Sequence, residues 1–279
     1  MTKTRVTVCI PHLMREDLLI RCLKSLEKNA GLPYRVIIIN DGKRPLSFES
    51  DKIQVLNNPE RKGLGAARQQ FAELVETEFL FALDNDVVVW PGSLRVQIEA
   101  LDKNPHLGVV SGLCFQKGTF CSEIAKFDFV KNKVIKRVYS FDEILSSDGD
   151  LFEADFVPIS HTTFRMKAVK DIIFDPNYKI GYEHWDVFMQ LYYTNWRCAV
   201  HKKSWFGHIH YESPRAYLKE RYKTSFLEAS RKYFAEKWGY QPVQPFELVR
   251  TRRESAVLKV LRQIVRWQKR FLESSGILT

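Results

Sequence analysis

Two carboxylates one residue apart, Asp84 and Asp86, follow an uninterrupted apolar run from Phe79 to Leu83. Such a run is typical of a strand that is buried on both faces in a parallel sheet covered by helices. Aspartate forms strands poorly, and two neighbouring carboxylates repel each other unless a cation or a strong donor lies between them. A hard divalent ion that also binds substrate phosphates meets that requirement. The run therefore predicts a metal site at the end of this strand, and a solvated turn is the simpler alternative.

The residues around these carboxylates alternate between strand and helix patterns. Runs rich in β-branched residues at 6–10, 34–39 and 53–56 predict strands, and helical spacing of apolar residues predicts helices over about 15–29 and 63–75. This alternation predicts an α/β fold, with a mostly parallel sheet flanked by helices and right-handed crossovers. In such sheets ligands bind at the carboxyl ends of the strands.

Three of the predicted strands end in polar or turn residues, which are Pro11-His12, Asn40-Asp41 and Asp84-Asn85-Asp86. We expect these endings side by side along one edge of the sheet, so that a nucleotide could lie across it with its base near Asp41 and its diphosphate near a metal on Asp86. Gly63 and Gly65 open the next helix and suit the close approach of a nucleotide, although their spacing is not that of a phosphate-binding loop.

The composition is that of a globular protein. The chain has 279 residues, of which 45% are hydrophobic and 27% charged, enough for one large α/β domain with an appendage. No apolar run approaches the ~20 residues that span a bilayer, and the first residues lead directly into a strand, so we expect neither a signal peptide nor an anchor. Five cysteines without a Cys-x-x-Cys pair predict reduced thiols and a cytoplasmic protein.

The positive charge is concentrated at the C-terminal end. Residues 213–279 contain fifteen Lys and Arg against six Glu, whereas the whole chain has a formal net charge of +10. Apolar residues recur at helical spacing between Arg250 and Glu273, with cations on the other faces. Such a basic amphipathic helix can bind an anionic membrane surface. The alternative is a helix that packs on its own domain or on a second copy of the chain, as in a homodimer.

Four motifs occur in an order that resembles a known family. They are Val8-Cys9-Ile10-Pro11, Ile38-Ile39-Asn40-Asp41-Gly42, Asn57 to Arg68, and Leu83-Asp84-Asn85-Asp86. Together they resemble the nucleotide-binding half of the GT-A glycosyltransferases, and in particular their large inverting family 2. Pro91-Gly92-Ser93-Leu94 and Lys237-Trp238-Gly239 are similar to further landmarks of that family, so the resemblance extends from about Val6 to Gly239.

The resemblance implies roles for the residues at the sheet edge. Asp41 matches the carboxylate that accepts the imide hydrogen of uracil, as an acceptor-only side chain can. Pro11, Arg68, Asp84 and Asn85 match positions that bind the nucleotide of a UDP-sugar. Asp86, with Asp84, matches the ligand of Mn²⁺ or Mg²⁺, an ion that neutralises charge on the departing diphosphate.

In the second half, the resemblance places the catalytic base within Gly181 to Phe188. The family has an acidic residue there that takes the proton from the acceptor hydroxyl, and in-line attack then inverts the anomeric carbon. Asp186, Glu183 and His184 are the candidates in this chain, with His184 where the family has its aspartate. The simpler alternative is that the carboxylates only favour a helix N-terminus.

His208 and His210 end a strand-like run, in a region where many GT-A enzymes have a histidine that completes the metal shell. Imidazole is a suitable ligand for Mn²⁺. We expect the two side chains to leave the strand on opposite faces, so that only one of them binds the metal.

These inferences predict a metal-dependent glycosyltransferase that moves a sugar from a UDP-sugar to a glycan, lipid-linked or protein acceptor. The predicted domains are a GT-A domain at 1–212, divided into a nucleotide half at 1–110 and an acceptor half at 111–212, and a basic helical extension at 213–279. A sugar nucleotidyltransferase is the nearest alternative, but Pro11-His12-Leu13-Met14 lacks its glycine-rich basic loop. A nucleic-acid or acidic-partner binding module is disfavoured because residues 1–212 are nearly neutral, so we expect no nucleic acid. The predicted location is the cytoplasm, at the inner face of the cell membrane if the basic helix binds it.

Overall fold

The computed structural model of the chain describes residues 4–48, 50–221 and 223–243. Its first part contains, in order, β1 (Val6–His12), α1 (Glu16–Asn29), β2 (Tyr34–Asn40), β3 (Ile53–Asn57), α2 (Leu64–Leu74), β4 (Phe79–Leu83), β5 (Val87–Val89) and α3 (Ser93–Lys103). Each strand and helix predicted from the sequence in this part is present, with bounds that differ by one or two residues.

The second part is richer in short strands. It contains β6 (Leu107–Gln116), β7 (Thr119–Phe120), β8 (Ala125–Val130), β9 (Lys133–Val138), α4 (Phe141–Ser146), β10 (Leu151–Ala154), β11 (His161–Arg165), α5 (Met166–Val169), α6 (Glu183–Tyr192), β12 (Arg197–His208), a 3₁₀ helix at His210–Glu212, α7 (Arg215–Arg221), α8 (Thr224–Trp238) and β13 (Gln241–Val243).

Most of the strands form one ten-stranded mixed sheet. Its main path has the order β10-β12-β6-β11-β4-β1-β2-β3, with β5 paired to β12 and β7 to β6. The strands β4, β1, β2 and β3 are parallel to one another, whereas β11 runs antiparallel to both β4 and β6. The predicted α/β fold is confirmed, but the sheet is mixed where a mostly parallel one was predicted: β4, β1, β2 and β3, which carry the motifs, are parallel, as are β6 and β12, and the other pairs are antiparallel.

The apolar alternation of the strands explains why helices cover both faces. In β2, Val36 and Ile38 contact the layer that contains α1 and α3, while Ile37 and Ile39 contact the layer that contains α2 and α6. Successive side chains of a strand point to opposite faces, so an all-apolar strand requires two covered faces. The central position of β1 and β4 follows from this requirement.

The three polar strand ends lie together as predicted. β1 pairs with β2 on one side and with β4 on the other, with Ile10 opposite Ile38 and Cys9 opposite Ala82. The carboxyl ends of these strands therefore place Asp41, His12 and Asp84 along one edge, which we call the carboxyl edge.

The predicted helical extension after residue 212 also contains a strand. It begins with the helices α7 and α8, and α8 ends at Gly239 in the left-handed conformation with φ of 71°. β13 follows and pairs with β9 in a small sheet ordered β13-β9-β8. Pro242 is tolerated there because β13 is an edge strand.

Residues 213–243 pack on the sheet domain, since Tyr217 and Phe234 are both buried in it. The predicted basic helix from Arg250 to Glu273 lies outside the described residues. Within the described ranges, no helix has the length and apolar character needed to cross a membrane.

Candidate active site

The turn after β4 places Asp84 and Asp86 in different environments. Asp84 is partly exposed, and its backbone N–H donates to the carbonyl of Ser160 at 2.9 Å. Its side chain lines two adjoining clefts at the carboxyl edge. Asp86 is only 2% exposed, because β5 continues from it into the sheet and pairs with β12. The two carboxylates therefore do not share one open surface.

Asp86 forms a cluster with two histidines from the end of β12. Its Oδ2 lies 3.4 Å from His208 Nε2 and 3.1 Å from His210 Nδ1, and its Oδ1 is buried without a hydrogen-bond partner. One ligand atom from each of the three residues lies within 4.8 Å of the others. A carboxylate and two imidazoles at these separations are a suitable ligand set for a divalent transition metal.

The expectation that these two histidines leave the strand on opposite faces was wrong. Residues two apart in a strand share a face, and the chain leaves β12 at His208 to begin the 3₁₀ helix at His210. The Ile209 N–H donates to the Asp86 carbonyl at 2.9 Å, which fixes this turn against the end of β4. Both imidazoles consequently face Asp86, with their ring centroids 5.5 Å apart.

The charges of this cluster support one another. Burial alone would raise the pKa of Asp86, but hydrogen bonds from His208 and His210 and the charge of Arg15 hold the pKa of this carboxyl well below its usual range. Burial would lower the pKa of His208, but its contacts with Asp86 and Cys121 raise that pKa instead. Asp86 is therefore an anion in the folded protein and has a strong preference for cationic neighbours.

Arg15 is a site residue that the sequence analysis did not identify. It is buried, its Nη1 donates to Asp86 Oδ2 and, at 3.2 Å, to Ser213 Oγ, and its Nη2 donates to Asn85 Oδ1. The guanidinium carbon lies 3.9 Å from the centre of the Tyr217 ring. Arg15 lies between β1 and α1, where the sequence indicates only the start of a helix. The residues that contact its guanidinium, Asn85, Asp86, Ser213 and Tyr217, come about 70 to 200 positions later in the chain.

Asn85, which the sequence predicts to bind the nucleotide, lines neither of the two clefts. It is fully buried, accepts from Arg15 and donates through Nδ2 to His12 Nδ1 at 2.8 Å. Both ends of its amide are therefore used inside the protein. Asn85 holds Arg15 and the turn in place and contributes no group to either cleft.

The first cleft, which we call the Asp41 cleft, lies over the ends of β1 and β2 and encloses about 540 Å³, part of it open to solvent. Pro11, Asp41 and Asp84 line it as predicted for a nucleotide site. Four basic side chains also line it: Arg15, Arg61, Lys179 and Arg221. A cleft with this excess of cations suits an anionic ligand such as a diphosphate.

Asp41 is held in a defined orientation. Its Oδ2 accepts from the Gly63 N–H at 2.8 Å and its Oδ1 from Asn58 Nδ2 at 2.7 Å. Each carboxylate oxygen can accept a further hydrogen bond. Asp41 therefore remains able to accept from a ligand while it fixes the loop before α2.

The sequence predicts that the glycines of this loop allow the close approach of a nucleotide, but in the structure they allow a contact with residues 175–179. A Cβ on Gly65 would lie 2.3 Å from the Asp175 carbonyl oxygen, and a Cβ on Gly63 would lie 2.8 Å from the Lys179 carbonyl oxygen. The backbones also bond directly, from Leu64 N to Lys179 O at 3.0 Å and from Gly65 N to Tyr178 O at 3.1 Å. The close approach is thus between two parts of the chain.

The second cleft, which we call the His184 cleft, adjoins the first at Asp84. It encloses about 1060 Å³, again partly open to solvent, and is lined among others by Arg68, Glu183, His184 and His208. It therefore brings a histidine of the Asp86 cluster and two of the three predicted base residues to one cavity.

Arg68 and Glu183 form a buried ion pair at the floor of this cleft. Arg68 Nη1 donates to Glu183 Oε1 at 2.9 Å, and both side chains are less than a tenth exposed. Burial would raise the pKa of Glu183, but the hydrogen bond from His184 and the charge of Arg68 hold that pKa well below its usual range. Such a stabilised carboxylate is a weak base. Arg68 thus neutralises Glu183, a contact that its predicted nucleotide role did not include.

Asp186 does not reach either cleft. It is 0% exposed, and its oxygens accept from Trp238 Nε1 at 2.7 Å, Gln190 Nε2 at 2.8 Å and Lys237 Nζ at 3.0 Å. It lies on the inner face of α6, where it ties that helix to α8, so its predicted role as base has no support from either cleft and stays a prediction.

His184 is the accessible member of the three. Its side chain is 29% exposed, lines the cleft, and rests against the Phe156 ring. His184 Nδ1 lies 3.4 Å from Glu183 Oε1. In the tautomer in which Nδ1 donates to this carboxylate, Nε2 is free to accept a proton.

The sequence of the first part of the chain matches a known family. Residues 7–121 match the model of the family described as glycosyl transferase family 2. The match runs from β1 through the β6–β7 hairpin and includes Asp41, Asp84 and Asp86, so the resemblance inferred from the motifs is confirmed. A search of curated proteins finds no match.

Solved glycosyltransferase structures share the fold. A crystal structure of GalNAc-T7 with UDP, GalNAc and Mn²⁺ aligns with a TM-score of 0.57 at 14% identity, over 74% of this chain and 44% of that one. A crystal structure of residues 1–349 of TarS from S. aureus in complex with UDP aligns with a TM-score of 0.52 at 17% identity, over 73% of this chain and 60% of that one. This chain thus spans about half the length of these proteins. Residues 7–121 thus match a glycosyltransferase family, and the fold is shared with these glycosyltransferase structures.

Proposed function

We propose that this protein is a metal-dependent glycosyltransferase that moves a sugar from a UDP-linked donor to an acceptor hydroxyl with inversion. The observation that carries the proposal is the joining of two clefts at Asp84. One is cationic and contains Asp41, and the other contains both the His184–Glu183 pair and His208 of the Asp86 cluster. A nucleotide in the first cleft would present its sugar to the second.

The donor assignment is supported by the chemistry of the Asp41 cleft. Asp41 offers acceptor oxygens for the imide of uracil, and the cations of the same cleft suit a diphosphate. UDP is present in the structures of both neighbours described above. We extend that ligand to this chain as part of the proposal.

The residues around Asp86 fit a divalent cation. The Asp86 carboxylate, whose Oδ2 faces both imidazoles and whose Oδ1 has no hydrogen-bond partner, forms with those imidazoles a donor set suited to Mn²⁺ or Mg²⁺, with the imidazoles favouring Mn²⁺. When bound, the ion supplies Lewis-acid stabilisation of the departing diphosphate. Asp86, His208 and His210 would hold it, and Asp84 lies at the adjoining cleft surface.

His184 is the base in this proposal. Nε2 takes the proton of the acceptor hydroxyl while Glu183 keeps the ring in orientation through Nδ1, and Arg68 keeps Glu183 ionised. A base on the side of the sugar opposite the diphosphate gives inversion. The acceptor is a glycan, lipid-linked glycan or protein hydroxyl that enters through the His184 cleft.

Two further parts of the proposal concern location. We propose that the protein acts in the cytoplasm and that residues beyond 243 bind an anionic membrane surface, or a second copy of the chain, and no nucleic acid. The support is the charge pattern of the sequence, because these residues lie outside the described part of the structure.

The experiment is a screen of UDP-sugars for UDP release, with Mn²⁺ and with excess chelator. We expect turnover with at least one donor, its loss in chelator, and a loss of most turnover in Asp86→Asn. Asp150→Asn is the matched control, since Asp150 pairs with Lys203 on the surface. Full turnover of Asp86→Asn, or of the wild-type protein in chelator, would contradict the proposal.

A further inference from the structure

Arg15 occupies the side of Asp86 that a metal ion would need. The two histidines of the cluster converge on Asp86 Oδ2, at 3.4 Å and 3.1 Å, and Arg15 Nη1 donates to the same oxygen. Arg15 Nη1 also lies 3.5 Å from His210 Nδ1. A cation bound by Asp86 Oδ2 and the two imidazoles would therefore lie next to the Arg15 guanidinium.

Several contacts hold the Arg15 guanidinium beside Asp86. Arg15 is 6% exposed, donates to Asn85 and Ser213, and lies against the Tyr217 ring. The backbone of Arg15 has φ of 115°, in the left-handed half of conformational space, so the side chain leaves the β1–α1 loop in an uncommon direction. These contacts place a positive charge beside Asp86.

Two cations cannot share this carboxylate oxygen without strong repulsion, because the site is buried and poorly screened. Arg15 also lines the Asp41 cleft, where a diphosphate would bind in the proposed function. A guanidinium can bind phosphate oxygens in the same bidentate manner in which it binds a carboxylate. A short movement of the guanidinium toward that cleft would exchange one anionic partner for another.

We propose that Arg15 is a resident cation that competes with the divalent metal for Asp86, and that the donor diphosphate relieves the competition by drawing the guanidinium away. This inference rests on the proposed function for the identity of the diphosphate. The competition itself concerns only this chain and a metal ion. It implies weak metal binding by the nucleotide-free protein and positive coupling between nucleotide and metal, which linkage makes reciprocal.

The test is Mn²⁺ binding to the nucleotide-free protein, followed by electron paramagnetic resonance of the free ion. We expect Arg15→Gln to bind Mn²⁺ about tenfold more tightly than wild type, the scale of an ordinary coupling between two ligands. Adding UDP should tighten Mn²⁺ binding more in wild type than in Arg15→Gln. Equal or weaker Mn²⁺ binding by Arg15→Gln would overturn the proposal.

Two controls define the site. Arg15→Gln combined with Asp86→Asn should lose the tightened binding, which identifies Asp86 as the ligand. Arg5→Gln removes an arginine from surface ion pairs with Glu78 and Asp102 and should bind Mn²⁺ as wild type does. Tightening in Arg5→Gln would show a general charge effect and overturn the proposal.

A second variant covers the case in which Arg15→Gln does not fold. Tyr217→Leu keeps Arg15 and removes the ring that its guanidinium lies against, so Mn²⁺ binding should tighten by a smaller factor. Unchanged Mn²⁺ affinity in a folded Tyr217→Leu protein would contradict the competition. Because no step of this test measures sugar transfer, failure of the donor screen and failure of the metal competition are separate results.

Discussion

At the scale of residues, the three predicted base residues lie within four positions and have three different surroundings. His184 is open to a cleft, Glu183 is paired with Arg68, and Asp186 is enclosed between α6 and α8. All three are polar residues at the start of one helix, so their types could not separate them. The direction in which each leaves α6 decides its chemistry.

We predict that His184→Gln lowers turnover by on the order of 10²–10⁴ with little change in UDP affinity, because a general base acts in the transition state more than in the ground state. The measurement is steady-state transfer together with UDP titration. An unchanged turnover number would assign the base to another residue.

For Asp186→Asn we predict a marked loss of stability and only a small change in turnover. An amide nitrogen would face the donors Lys237 and Gln190, so the unfolding free energy should fall by about 2–3 kcal/mol while turnover changes only a few-fold. Denaturant unfolding and transfer assays measure the two effects on one protein. A loss of activity in a protein of wild-type stability would instead restore Asp186 as the base.

At the scale of elements, the parallel half of the sheet could be predicted from the sequence and the site only in part. Strands β1, β2 and β4 have all-apolar runs that end in polar residues, so both their burial and their common edge follow from local patterns. The partners of Arg15 come from β4, the turn after β12 and α7, and contacts between such distant segments leave no local pattern. The same holds for β13, whose pairing with β9 depends on a tertiary contact.

His161, in β11, makes the stability of the folded protein depend on pH. It is 1% exposed, and burial lowers its pKa to about 3. The unfolded chain takes up a proton near pH 6.5, whereas the folded chain resists it until about pH 3, so stability falls as the pH drops through this interval.

We therefore predict that the unfolding free energy of wild type falls faster between pH 6.5 and pH 4 than that of His161→Gln, by about 1.4 kcal/mol per pH unit. The measurement is denaturant unfolding at several pH values. His106→Gln is the control, because His106 is half exposed and pairs with Glu153 at the surface. Parallel slopes for wild type and His161→Gln would refute the prediction.

At the scale of the whole molecule, the charge of the chain is divided between a nearly neutral sheet domain and a basic C-terminal end. Removal of residues 245–279 deletes eight Lys and Arg against three Glu. Each cation near an anionic surface contributes ~1 kcal/mol to binding. We predict that the full chain sediments with anionic vesicles at low salt and is released by added salt, and that the chain truncated after Gln244 remains in solution.

Vesicles of zwitterionic lipid are the control and should retain neither protein. Equal sedimentation of the full and truncated chains with anionic vesicles would place the binding surface elsewhere, and no sedimentation of the full chain would exclude membrane binding. A concentration-dependent mass in light scattering would indicate self-association of the same segment.

The contact of Gly63 and Gly65 with residues 175–179 has a consequence for engineering. The loop before α2 and residues 175–179 meet there backbone to backbone, with no side chain between the two main chains that could be trimmed or enlarged. A chimera that takes residues 1–110 from one relative and the remainder from another would have to match two main chains within a fraction of an ångström. Under the proposed function, donor preference is therefore better altered by point substitution inside the Asp41 cleft than by exchange of residues 1–110.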